Sequence, residues 1–223
     1  MYALVPAHNE APSVAGVVEA LLASGAFEDV VVVDDGSTDD TAARAEAAGA
    51  VAIRTPRNLG KGGAMLFGTE AIRETSTDER IAFFDADLVG LTPRHVRRMV
   101  DASELGYDQV AGLQDRGDVV NLLQLCGPLV TGQRVLHRWI LDALPETCWS
   151  GYCVETAIND VVEREQGTTM LVLLDGIDTR TKLDKVGMLD GLAGQWKMIR
   201  QIAKTRDALR RSGGMTCMLE ERS

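Results

Sequence analysis

Asp85 and Asp87, two carboxylates two positions apart, follow the apolar run Ile81-Ala82-Phe83-Phe84. Such a run suits a short buried strand, and in an open α/β sheet the reactive groups gather beyond the carboxyl ends of the strands. A paired Asp at that place offers hard oxygen ligands to Mg²⁺ or Mn²⁺, which in turn grips a diphosphate. Asp also favours plain turns, so the pair alone is a weak sign. Three other polar stretches occupy equivalent places after apolar runs. They are Pro6-Ala7-His8-Asn9-Glu10, Asp34-Asp35-Gly36-Ser37 and Asn58-Leu59-Gly60-Lys61-Gly62-Gly63. Carboxylates there can accept from base N–H and ribose hydroxyl groups. A glycine-flanked lysine can come close to a phosphate.

The intervening elements place these stretches together. Residues 2–5 read as a strand closed by Pro6, and Pro12 opens a helix whose buried face is Val14, Val17, Val18, Leu21 and Leu22. The β-branched run 30–33 suits an interior parallel strand. The Ala-rich segment after Thr41 reads as a helix stopped by Gly49, residues 51–53 as a third strand, and 64–75 as the next helix. Strand and helix alternating at this spacing imply βαβ units, a mostly parallel central sheet and helices on both faces. Thr92-Pro93 starts a helix with Val96, Met99 and Val100 inward, and 108–113 reads as a strand. Beyond it, Val135, Leu136, Trp139 and Ile140 share one side of an expected helix, a second helix runs to about 165, and 168–174 reads as a strand. His95 and His137 are expected on helix surfaces, and His8 in its turn as a loop residue.

The chain has 223 residues, 45% of them hydrophobic, which is enough for one large domain with a proper core. A net charge of -10 argues against a general nucleic-acid binder. The four cysteines, at 126, 148, 153 and 217, form no C-x-x-C, so no zinc site is indicated and a reduced, cytoplasmic setting is the simpler reading. The first residues already read as a buried strand, so no leader peptide is expected, and no apolar run is long enough to span a membrane. There is no G-x-x-x-x-G-K-[ST] loop, no G-x-G-x-x-G after the first strand and no G-x-S-x-G elbow.

Taken in order, Val5-Pro6-Ala7-His8-Asn9-Glu10, Val33-Asp34-Asp35-Gly36-Ser37-Thr38-Asp39, Asn58-Leu59-Gly60-Lys61-Gly62 and Phe84-Asp85-Ala86-Asp87 resemble the successive signatures of GT-A glycosyltransferases of family 2. Within it the chain is most similar to the dolichol-phosphate mannosyltransferase and glucosyl-3-phosphoglycerate synthase types. The resemblance implies a Rossmann-like GT-A domain, a nucleoside-diphosphate sugar donor and Mg²⁺ or Mn²⁺. It implies that Pro6, Ala7 and Glu10 line the base and ribose, and that Asp34 and Asp35 contact the nucleoside. Gly60 and Lys61 would lie near the nucleotide, and Asp85, Ala86 and Asp87 would frame ribose, diphosphate and metal. In the second half, Gly127-Pro128-Leu129-Val130-Thr131-Gly132-Gln133-Arg134 resembles the acceptor-side loop. Gly151-Tyr152-Cys153-Val154-Glu155 resembles a segment near acceptor and sugar, which makes Glu155 the first choice for a sugar contact or catalytic base and Asp160 a poor second.

One departure concerns the metal. Several relatives carry a His after the strand at 168–174, whereas this chain reads Asp175-Gly176-Ile177-Asp178-Thr179-Arg180. Asp178 is then a candidate replacement ligand, and Arg180 a candidate to hold the diphosphate directly. The expected organisation is a single domain over 1–223, with a nucleotide-sugar half (1–113), an acceptor-side half (114–190) and a basic helix and tail (191–223). The helix at 191–211 carries Trp196, Ile199 and Ile202 beside many Lys and Arg. Three roles stay open for it: peripheral contact with the inner membrane face, a packed solvated face, or a homodimer contact. The resulting expectation is a cytoplasmic, metal-dependent glycosyltransferase with an unidentified acceptor, a polyprenyl phosphate or a small phosphorylated or hydroxylated molecule. The alternatives are a catalytically silent nucleotide-sugar-binding or scaffold member of the family and, less favoured, a sugar nucleotidyltransferase.

Overall fold

A computed structural model of the chain describes residues 1–115, 129, 131–149 and 153–179. Arg180, Gly127, Pro128, Val130, Gly151, Tyr152 and the helix expected at 191–211 lie outside the described residues. Among the described residues, seven strands form one sheet in the order β3-β2-β1-β4-β7-β6-β8. The first three are β1 (Tyr2–Ala7), β2 (Val30–Asp34) and β3 (Val51–Arg54). They are joined by α1 (Val14–Ala23) and α2 (Thr41–Ala47) and pair in parallel. A third helix, α3 (Gly60–Thr75), returns the chain to β4 (Arg80–Phe83), which lies parallel to β1 on its other side. The remaining strands of this sheet are β6 (Gln109–Gln114), β7 (Arg134–His137) and β8 (Thr169–Leu174). A two-residue strand, β5 (Leu88–Val89), pairs antiparallel with β9 (Asp178–Thr179) in a separate ribbon.

β1 runs two residues further than expected and contains Pro6. Ala7 O accepts from Asp35 N on the β2 side, and Leu4 O accepts from Phe84 N on the β4 side. The even-numbered residues of β1 therefore face β4, which ends its pairing at Leu4↔Phe83. The N–H that Pro6 lacks would point past the end of β4, so the ladder loses nothing.

The segment 134–137, expected to begin a helix, is β7, and only Arg138–Asp142 is helical (α5). β7 lies antiparallel between β4 and β6, with Val135 and Leu136 buried on opposite faces of the sheet. A strand buried on both faces loses the alternation that would mark it as a strand. Both halves of the chain thus contribute strands to one sheet. Two apolar layers cover its faces. One holds Val14, Val17, Val18 and Leu21 of α1 with Val96, Met99 and Val100 of α4 (Pro93–Glu104). The other holds Ala64, Met65 and Ile72 of α3 with Val154, Ile158 and Val161 of α6 (Cys153–Arg164) and Trp149 of a 3-10 turn (Glu146–Trp149).

Three smaller expectations fail, and the first is His137, assigned to a helix surface, which is the last residue of β7. Leu22, assigned to the buried face of α1, is exposed. His95, assigned to a surface, is buried: its backbone N–H donates to Thr92 Oγ1 and its ring accepts from Thr92 N, which closes a capping box on α4. Among the described residues no helix is long and apolar enough to cross a membrane.

Candidate active site

The turns after β1 and β2 are sewn together by short polar side chains. Asn9, at φ 57, donates its backbone N–H to Ser37 Oγ at 2.9 Å, and its side-chain oxygen accepts from Thr38 N at 2.8 Å. Glu10 N donates to Thr41 Oγ1 at 2.9 Å, and Ala11 N to Asp39 Oδ2 at 3.2 Å. Burial works against the Asp39 carboxylate, but bonds from Thr41 and Ala11 hold its pKa below the ordinary value. Asp34 Oδ1 accepts from Ser37 N at 2.9 Å, and Oδ2 lies 3.4 Å from Arg54 Nη1. Gly36, at φ 72, backs onto the main chain of Asn58, where a Cβ would stand 3.1 Å from the backbone nitrogen.

Asp35 is buried and faces α3. One oxygen accepts from Leu59 N at 2.7 Å and Thr55 Oγ1 at 2.9 Å, and the other from Gly60 N at 2.8 Å. This carboxylate serves as a helix cap supplied from a distant turn. It explains why α3 starts at Gly60, four residues before the expected 64, so that Gly60-Lys61-Gly62 is a helical turn and not a loop. Gly62 in that turn packs so closely on the backbone of Trp149 that a Cβ would overlap the carbonyl.

Starting the helix at Gly60 points Lys61 at the end of β4. Its ammonium lies 2.6 Å from Asp85 Oδ1 and also pairs with Glu155 Oε1, in the first turn of α6. Burial disfavours the ammonium, but Asp85 and Glu155 outweigh that cost and hold the Lys61 pKa above the ordinary lysine value. Lys61 is therefore a fixed cation and not a base. The Lys61 side chain keeps 18% of its surface exposed and Asp85 24%, so the group can be reached from solvent.

Asp85 has further partners from the start of β7. Gln133 Nε2 donates to its Oδ2 at 2.9 Å, while Gln133 Oε1 lies 2.8 Å from Thr131 Oγ1, which orients the amide. Gly132 lies against the carboxylate, and a Cβ there would overlap it. Next in the chain, Arg134 is fully buried, and among the described residues it has no ion-pair partner in contact. Its guanidinium donates to Thr131 O at 2.9 Å, Leu129 O at 3.1 Å, Asn159 Oδ1 at 2.8 Å and Gln109 Oε1. Burial pushes its pKa down to about 10, against the pull of Glu155 and Asp85. Gln133 and Arg134 close the stretch read as an acceptor-side loop, but sequence reasoning gave neither a role of its own. A lone Arg beside Val135 and Leu136 was the available sign of a buried, fully bonded cation.

The structure thus brings Lys61, Asp85 and Glu155 together at the carboxyl edge of the sheet, with the 6–10 and 34–37 turns at the ends of β1 and β2 on the same edge. Pro6 is partly buried in β1, and Ala7, Glu10 and Ala86 are buried, with Ser13 Oγ 3.3 Å from Glu10 Oε2. Asp87 is half-buried two residues beyond Asp85. Asp178 is exposed, pairs across from Val89, and its Oδ1 accepts from Thr179 N at 2.8 Å. Among the described residues, Asp160, five residues after Glu155 on α6, belongs to no cluster: both of its buried oxygens lack a hydrogen bond, and burial raises its pKa.

Asp85 and Asp87 are hard-oxygen groups that fit Mg²⁺ or Mn²⁺. Among the described residues, no group of three or more His, Cys, Asp and Glu could hold a metal ion by itself. The donor set fits the habit of Mg²⁺, which takes one or two carboxylates plus substrate phosphates and retained waters.

A sequence pattern described as glycosyl transferase family 2 matches residues 2–124, more than half of the chain. The chain belongs to that family. Among curated members, it is 35% identical over 106 residues to a glucosyl-3-phosphoglycerate synthase of Mycolicibacterium smegmatis, covering 44% of this chain and 34% of that protein. It is 31% identical over 126 residues to an undecaprenyl-phosphate 4-deoxy-4-formamido-L-arabinose transferase of Edwardsiella ictaluri, covering 52% and 37%. The matched stretch thus spans about a third of each curated relative. Among solved structures, glucosyl-3-phosphoglycerate synthase from Mycobacterium tuberculosis, in complex with Mn²⁺, uridine diphosphate and glucosyl-3-phosphoglycerate, superposes with a TM-score of 0.76. The sequence identity is 25%, over 97% of this chain and 81% of that one. The fold is the GT-A fold of the family, with its mostly parallel sheet and helices on both faces.

Proposed function

We propose that the chain transfers a sugar from a nucleoside-diphosphate sugar to a phosphorylated or hydroxylated acceptor, with Mg²⁺ or Mn²⁺. The observation that carries this reading is the convergence of Lys61, Asp85 and Glu155 at the sheet edge that also holds the 6–10 and 34–37 turns. Its support includes the solved relative described with Mn²⁺ and uridine diphosphate, which makes a uridine nucleotide the first donor to try. Pro6, Ala7 and Glu10 line the nucleoside, and Asp34 and Asp35 set the turn and the start of α3 that shape its pocket. Gly60 and Lys61 face the diphosphate, with Ala86 between the two acidic residues, and Arg180 is a further candidate for the diphosphate.

The reaction breaks the bond from the anomeric carbon to the β-phosphate oxygen and forms one to an acceptor oxygen, the released electron pair staying on the diphosphate. A divalent cation held by Asp85 and Asp87, with Asp178 as the third candidate ligand, offsets that charge when bound. Lys61 adds fixed positive charge on the same side, where it serves the leaving group better than the ground state. Glu155 orients the sugar or accepts the proton of a hydroxyl acceptor. A phosphate acceptor, as in the name of the undecaprenyl-phosphate relative, arrives ionised and needs no base. A cytoplasmic setting belongs to this reading, in keeping with four cysteines that form no C-x-x-C. Contact with a membrane face or with a second copy is assigned to 191–211. Flotation with anionic vesicles and light scattering test the two.

The direct test is slow hydrolysis of a panel of UDP-, GDP- and other nucleotide sugars with Mn²⁺ or Mg²⁺, comparing wild type with Asp87→Ala. Turnover of one donor that is abolished by EDTA and in the variant is expected. Failure of every donor to bind, read by calorimetry, would sink the reading.

A further inference from the structure

Both oxygens of Asp85 are engaged. Oδ1 pairs with Lys61 Nζ at 2.6 Å, Oδ2 accepts from Gln133 Nε2 at 2.9 Å, and Gly132 closes off one face of the group. Lys61 is shared with Glu155, so one ammonium bridges both carboxylates. A bare divalent cation approaching Asp85 therefore meets a carboxylate that is already neutralised, and a fixed ammonium that repels it. No group of three acids among the described residues offers it another protein-only site. A nucleoside diphosphate changes this balance. It brings several negative charges of its own, gives the ammonium a stronger partner, and supplies oxygen ligands that the protein lacks.

We propose that Lys61 is an exchangeable counter-ion. Its ammonium guards Asp85 and Glu155 in the empty protein and moves to the donor diphosphate on binding, so that donor and divalent cation enter as a coupled pair. This rests on the donor-site reading above and adds a binding order to it. The same movement frees Asp85 Oδ1 to ligate the cation and leaves Glu155 unpaired beside the sugar. One event thereby readies both carboxylates, and neither is released from the ammonium before the donor is present. Coupling of this kind is reciprocal: whatever factor the nucleotide adds to metal affinity, the metal adds to nucleotide affinity.

The test uses the full chain, with Mn²⁺ followed by the electron paramagnetic resonance of the free ion and UDP binding followed by calorimetry. In wild type, Mn²⁺ is expected to bind at least tenfold more tightly with UDP than without it. Lys61→Met is expected to bind bare Mn²⁺ at least tenfold more tightly than wild type, with most of the UDP effect lost. Lys61→Gln gives a second, polar variant should the Met protein fold poorly. Lys61→Arg, which keeps the charge, should retain weak bare-metal binding. In the Lys61→Met, Asp85→Ala double variant the gain in bare Mn²⁺ affinity should disappear. Wild type binding bare Mn²⁺ as tightly as the UDP complex would overturn the counter-ion role, and so would unchanged bare-metal affinity in both Met and Gln variants. Absence of UDP binding under every condition would instead overturn the donor site itself.

Discussion

Replacing Arg134 with Met removes the guanidinium while keeping much of the apolar stem. Four acceptors lose a donor: Thr131 O, Leu129 O, Asn159 Oδ1 and Gln109 Oε1. Leu129 O keeps a bond from Asn159 Nδ2 at 2.6 Å, and among the described residues the other three acceptors have no second donor. Each buried, unsatisfied acceptor costs about 1–3 kcal/mol. Against this stands relief from burying the charge: a pKa pushed from 12.5 down to about 10 corresponds to roughly 3 kcal/mol. With the middle of each range, the net loss is about 3 kcal/mol. Lys in its place keeps the charge but cannot span acceptors arranged around a planar fork, and should lose about 2 kcal/mol. Urea unfolding at neutral pH, extrapolated to water, measures both. The reasoning is refuted if Arg134→Met is as stable as wild type or more so, as happens when a buried ion is better replaced by a hydrophobe.

Three further outcomes are expected. Gly132→Ala forces the Asp85 carboxylate aside, so calorimetry should show UDP with Mn²⁺ binding at least tenfold more weakly, with little change in thermal unfolding. Gly62→Ala should destabilise by about 1–3 kcal/mol, because its methyl meets the Trp149 carbonyl, whereas Gly16→Ala, open to solvent on α1, should stabilise by about 0.5–1 kcal/mol; chemical denaturation compares them. Asp108 accepts from Thr168 N, Thr168 Oγ1 and Trp139 Nε1, led by the Thr168 backbone, which depresses its pKa. Its contribution is therefore present above the ordinary carboxylate value and lost as pH falls through the lower folded value. Asp108→Asn should cost stability at neutral pH, and the gap to wild type should narrow in unfolding curves taken below about pH 4.

The turns at the carboxyl edge of the sheet were legible because each is a contiguous motif after an apolar run: Pro6 to Glu10, Asp34 to Ser37, Asp85 to Asp87. Local patterns carry local structure. What they could not carry is the joining of Lys61 to Glu155 across 94 positions, or the start of α3, which depends on Asp35 reaching Leu59 and Gly60 from another turn. The misread of 134–137 has a physical source as well. Val135, Leu136, Trp139 and Ile140 do fall at helical spacing, but 134–137 lies between β4 and β6, and a place in the sheet interior outweighs periodicity.

The position of β7 bears on how the protein is made. Strands β4 and β6 have no pairing with each other, and the only element between them is a strand encoded some twenty residues after β6. A nascent chain that has emerged only as far as β6 holds two sheet fragments with unfilled inner edges, one ending in β4 and the other being β6 itself. The sheet closes when 134–137 slides between them, and the same stroke delivers Gly132 and Gln133 to Asp85. Residues 1–114 thus lack a strand of the sheet they belong to. The position of β7 also tells anyone building chimeras where not to cut: a graft of the residues after β6 must bring β7 with it, or the sheet lacks the strand that joins β4 to β6.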